Sequence, residues 1–121
     1  MKGFVNLLHA NGEFKNILNE IFAFIFKENE EKKPKEFFMD FLIYLLGHVD
    51  DYSTQTVMSY LQKYANDNRV ESSYLLREYY YVGTEVTKFI SMNFKPPLCK
   101  EITCMNLAGL LEIIRNINKT K

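Results

Sequence analysis

Few side chains in this sequence could carry chemistry, and one stretch gathers three of them. In "GHVDD" the imidazole of His48 stands beside the carboxylates of Asp50 and Asp51. Those are the donor types of a divalent-metal site or a general base. On that reading the chain is a small metal-dependent enzyme using His48, Asp50 and Asp51. The same residues have a plainer use. Carboxylates favour the start of a helix and an imidazole favours its end, and the stretch lies where one helix gives way to the next. The plainer use is preferred.

The other candidates are thinner. Cys99 and Cys104 stand five positions apart, which on a helix turns their sulfurs well away from one another. They read as buried free thiols, with no disulfide framework implied. His9 has no partner close in sequence. Asp40 is a lone carboxylate inside an aromatic helix. Buried, it would have to be paired or protonated; otherwise it faces out through a gap. No glycine-rich phosphate loop and no G-x-S-x-G turn occurs. The expectation is therefore a protein with no catalytic residues, no metal and no cofactor.

Recognition is the better-supplied chemistry. "REYYYVGTEVTKF", residues 77–89, places Tyr79, Tyr80 and Tyr81 side by side in a helical context. Successive helical residues are turned by about 100°, so one core cannot take all three. The stripe Leu75, Tyr79, Val82, Val86, Phe89 has core spacing, which makes Tyr79 internal. Tyr80 falls on the shoulder, beside Gly83. A glycine inside a helix costs about 1 kcal/mol against alanine, so Gly83 suggests the close approach of another helix. Tyr74, Arg77 and Tyr81 share an outward stripe, and Tyr60 falls off the inner face of the preceding helix. Exposed tyrosine and arginine are typical of binding hot spots. Tyr74, Arg77, Tyr81 and Tyr60 are the expected partner-binding residues. The series Tyr79-x-x-x-Gly83-Thr84-Glu85 resembles in outline the short interaction helix of the helical apoptosis-regulator family. It departs from that pattern at the leucine and at the acidic position, so no membership follows.

The elements that must position these residues are helical throughout. Residues 3–10 read as a short helix ended by Asn11-Gly12. A second runs from Gly12 to about Lys27 on Phe14, Ile17, Leu18, Ile21, Phe22 and Ile25, widened by Phe24 and Phe26. "KENEEKK" is a solvated connector of mixed charge. Pro34 opens the next helix, to Leu46, which is apolar nearly all round and therefore central to its bundle; Gly47 ends it. Ser53 or Thr54 caps a helix to about Asn66, facing inward with Val57, Met58, Leu61, Tyr64 and Ala65. Ser72 caps the tyrosine helix, to about Asn93, stopped by Pro96 and Pro97. The last helix, from Cys99 or Thr103 to Asn118, buries Leu107, Leu110, Leu111, Ile114 and Ile117. The fold class is an all-α bundle of five to six helices in a single domain, 1–121.

Composition narrows the partners. The formal net charge is zero, with pI near 6.7, which supplies no long-range attraction for nucleic acid or an anionic membrane. No apolar run approaches the ~20 residues of a bilayer span, and no secretory signal is seen, so a cytoplasmic protein is expected. Lys, Asn, Phe, Ile and Tyr are abundant, and all use A/T-rich codons. That fits a low-GC genome or a mobile cassette. The reading is a non-catalytic interaction module that binds another protein, a cognate toxin or a host factor. Its sharpest version is a small dedicated inhibitor such as an immunity protein that neutralises a toxin domain. A viral or phage host-modulating protein, for example a cell-death inhibitor holding a partner helix, is the rival. A homodimer is compatible with either.

Overall fold

The computed structural model describes residues 14–93 and 107–119. Five α-helices account for most of them: α1 (Phe14–Ile25), α2 (Glu36–His48), α3 (Thr54–Asn68), α4 (Ser72–Asn93) and α5 (Leu107–Lys119). One turn of 3-10 helix, Glu30–Lys32, interrupts the connector between α1 and α2, and no strand occurs among the described residues. The chain is an all-α bundle. The expected helix over residues 3–10, His9, the Pro96-Pro97 stop and both cysteines lie outside the described residues.

Helix α2 is the centre. Phe38, Phe41, Leu42 and Leu45 are sealed from solvent, with Met39 and Leu46 nearly so. α1, α3 and α5 all pack against it, while α4 packs on α3, α5 and α1. The amphipathic helices supply one stripe each: Ile17, Leu18, Ile21 and Phe22 from α1, Leu75, Val82, Val86 and Ile90 from α4, and Leu107, Leu110, Leu111 and Ile114 from α5. Ile117 is only half-buried. No polar or charged residue is buried among the described residues. Asp40 is exposed, and so spares the core a charge.

Several boundaries differ from the sequence expectation for local reasons. Pro34 does not open α2; it is buried ahead of the helix, which starts at Glu36 behind Lys35. Gly47 does not end α2 either. The described glycines all have negative φ, and the helix runs through His48 until Val49 turns extended. Ser53 does cap α3, its hydroxyl accepting from the Thr56 N–H. α3 then continues to Asn68 and stops at Arg69, which adopts the left-handed conformation at φ 56°. The Val70 N–H reaches back to the Ala65 carbonyl there, the closure that glycine usually provides. Ser72 is the first residue of α4 rather than its cap, and the Glu71 carbonyl accepts the first helical bonds.

Two stability measurements follow. Phe41→Ala and Leu45→Ala each remove a fully buried side chain and should cost roughly 2–5 kcal/mol in denaturant titration. Arg69→Gly relieves a left-handed arginine and should gain about 0.5–1 kcal/mol in the same assay.

Candidate functional site

The three residues of the "GHVDD" stretch are pulled in three directions. His48 stacks on Tyr44 with ring centroids 4.2 Å apart, and its Nδ1 lies 2.9 Å from the Tyr44 carbonyl oxygen. Asp51 holds the start of α3: one oxygen accepts from the Ser53 N–H at 3.1 Å and the other from the Thr56 hydroxyl at 3.4 Å. Asp50 turns the other way and pairs with Arg115 of α5, whose guanidinium also donates to the Leu46 carbonyl. Leu46 is in the last turn of α2, where carbonyls lack helical partners and cations are favoured. The stretch is thus an anchor between helices. Among the described residues no group of three His, Cys, Asp or Glu side chains could hold a metal ion.

The tyrosines are ordered differently from the sequence expectation. Tyr80, expected on the shoulder, is the outward member, with 60% of its surface exposed. Tyr79 packs against the core but is only half-buried and lines a cleft. Tyr81, expected to face outward, is half-buried. Its ring lies on Phe26 with centroids 6.1 Å apart, and its hydroxyl is buried with no partner among the described residues. Phe26 follows the end of α1 and covers this flank of α4, a contact that α4's own spacing could not reveal.

Tyr74 and Tyr60 have company as well. Tyr74 meets Phe37 at 6.4 Å, Phe37 meets Tyr64 at 5.7 Å, Tyr64 meets Tyr44 at 5.1 Å and Tyr44 meets Tyr60 at 6.1 Å. These rings form one band across α4, α2 and α3. Tyr74, Phe37, Tyr44 and Tyr60 are each half-buried, one part packed and the other in water, while His48 and Arg77 are exposed. Edge-on and tilted contacts of this kind hold rings in fixed orientations. Sequence reasoning found the two ends of the band and missed Phe37 and Tyr44. The spacing of Phe37, Tyr44 and His48 on α2, seven and then four residues apart and so on one face, was the available signal.

A second concave feature lies between α3, α4 and α5. This half-open cleft of about 550 Å³ is bounded by Val57 and Met58, by Tyr79, Gly83 and Thr87, and by Leu107. Gly83 does mark an approach of helices. A Cβ placed there would meet the Leu107 Cβ at 3.6 Å and its backbone nitrogen at 3.7 Å, ordinary van der Waals distances.

Burial shifts the phenols. Tyr79 is pushed up to about 12, chiefly by desolvation, with Tyr52 and Tyr80 adding to the rise. Tyr52 is raised by burial, offset in part by Arg115, while Asp50 and Glu112 push it up. Tyr64 is raised by burial and by Asp40, and Tyr81 by burial, Glu85 and Glu78. Compared with protein-family models, with curated proteins and with solved structures, the chain finds no match in any of the three.

These shifts share a sign. A phenol raised above its unfolded value keeps its proton longer in the folded state. It contributes stability that is whole below the unfolded pKa and lost as pH rises through the folded one. For Tyr79 the window runs from 10 to about 12, and a shift of that size corresponds to about 2–3 kcal/mol. Urea titrations across that window should show stability falling, and Tyr79→Phe should flatten the fall. An unchanged slope in Tyr79→Phe would assign the loss to the other phenols.

Proposed function

We propose that this chain is a non-catalytic protein-interaction module whose contact surface is the aromatic band from Tyr74 through Phe37 and Tyr44 to Tyr60, with Arg77 beside it. The observation that supports this is the band itself: four half-buried rings, two pairs joined through the buried ring of Tyr64, across three helices. Rings already fixed in the free protein lose little rotamer entropy when a partner covers them, so their apolar area counts nearly in full. Arg77 stands one turn from Tyr74 on α4 and can reach a carboxylate or carbonyl at the rim.

The uses found for the chemistry-capable residues point the same way. His48, Asp50 and Asp51 hold helix ends and one ion pair. Within this class the reading favoured here is a small dedicated inhibitor, such as an immunity protein that occupies and neutralises a cognate toxin domain. The balanced charge fits a partner recognised through aromatic contact rather than through a strong field of one sign. No helix among the described residues is long and apolar enough to cross a membrane.

The test is affinity capture from the native host, followed by titration of the retained protein against variants. Arg77→Ala and Tyr60→Ala should each weaken binding, with at least one reaching about thirtyfold, the scale of a 2 kcal/mol hot spot. Tyr80→Ala, off the band, should bind as the parent chain does. Tyr81→Ala should lose stability before affinity, because its ring covers Phe26. Normal binding by both band variants would remove the band from consideration.

A further inference from the structure

The cleft between α3, α4 and α5 carries a separate inference, independent of the aromatic band. At about 550 Å³ it falls within the volumes typical of small-molecule sites. Its walls are mostly apolar: Val57 and Met58 on one side, Leu107 and Ala108 on another, and Gly83, which contributes no side chain. The polar groups around it are largely committed. The Thr84 hydroxyl donates to the Tyr80 carbonyl at 2.9 Å, and the Ser91 hydroxyl to the Thr87 carbonyl at 2.7 Å. Lys88, mostly solvent-exposed, pairs with Glu85 at 3.5 Å.

Three phenols stand in the wall, of which Tyr80 is 60% exposed to water. Tyr52 is 7% exposed, and its hydroxyl is sealed beside the Arg115 guanidinium, so it is not offered to the cleft. The Tyr79 hydroxyl, likewise in the wall, makes no hydrogen bond to another described residue. The Tyr79 O–H is not among the buried unpartnered groups, so it is within reach of solvent, and an incoming acceptor can take the place of water on it. The Tyr79 phenol stays protonated at physiological pH, since burial raises it, so it is available as a donor.

We propose that this cleft binds a small, uncharged, mainly apolar molecule carrying a hydrogen-bond acceptor, with the acceptor seated on the Tyr79 hydroxyl. The apolar body lies along Met58, Val57 and Leu107. Gly83 adds no side chain to narrow the cleft beside Leu107. A charged ligand is disfavoured, because the one cation among the described wall residues, Lys88, is already paired and mostly in water, leaving no buried counter-charge among the described wall residues.

The probes are 2-acetylnaphthalene and 2-ethylnaphthalene, two molecules of nearly equal size of which only the first has a carbonyl acceptor. Each is titrated into the full chain while the methyl resonances of Met58, Leu107 and Ala108 are followed by NMR. The expected result is a saturable shift of those methyls by both probes, with the ketone binding roughly fivefold tighter, the scale of one net hydrogen bond. Tyr79→Phe should abolish the preference and leave binding of the hydrocarbon unchanged. Gly83→Leu should remove binding of both by filling the cleft, and Ala108→Leu serves the same purpose if Gly83→Leu does not fold. No saturable shift, shifts confined to methyls away from the cleft, or a ketone preference that survives Tyr79→Phe would each overturn the proposal.

Discussion

The run FFMDFLIYLL leaves α2 almost no polar side to turn towards water, so this helix is stable only when its neighbours cover it. The arrangement of the bundle answers that constraint. α1, α3 and α5 close on α2, and α4 completes the enclosure by packing on those three. Asp40 occupies the narrow remaining polar line and stays in water. The end of α2 is closed by other means. The Leu45 carbonyl takes the Val49 N–H, the Leu46 carbonyl takes the Arg115 guanidinium, and the His48 ring nitrogen faces the Tyr44 carbonyl. Arg115 then ties Asp50, so a residue near the end of the chain fixes where the central helix stops.

Covering α2 has a by-product on the surface. Its aromatic residues are too many to fit inside, and those left at the margin, Phe37 and Tyr44, meet the marginal Tyr74 and Tyr60 and share the buried Tyr64 between them. The band is thus continuous with the core. The cleft arises differently. α4 and α5 approach where Gly83 leaves room, and Tyr79 stands in the wall beside that approach. Two features with different origins therefore share helices α3 and α4, on different sides of each.

Much of the architecture was legible because apolar spacing is read directly from sequence. Ile17, Leu18, Ile21 and Phe22 predict the inner face of α1, and Leu107, Leu110, Leu111 and Ile114 that of α5; all are buried. What was hidden depended on partners distant in the chain. Tyr81 has outward spacing on its own helix, and it is Phe26, beyond the end of α1, that covers it. Arg115 reads as a surface cation until Leu46 and Asp50 are seen beside it. Helix ends were misplaced where a residue has two permitted uses. Gly47 can end a helix or continue one, and with open space around it nothing forces the first. Arg69 illustrates the reverse, a stop made by a residue that does not announce one.

The two connectors flanking α2 are built with opposite tolerance for change. Residues 27–33 run largely through solvent, with a single turn of 3-10 helix and no side chain sunk into the core. A few inserted residues there would lengthen an exposed loop at little cost. Between α2 and α3 every position has an assignment: Val49 and Tyr52 are buried, Asp50 grips α5, and Asp51 and Ser53 set the first turn of α3. One extra residue would shift all of those at once. Length variation during the descent of this chain is therefore expected to accumulate before α2 and to be purged after it, and a fluorophore or purification tag would be best spliced in among residues 28–32.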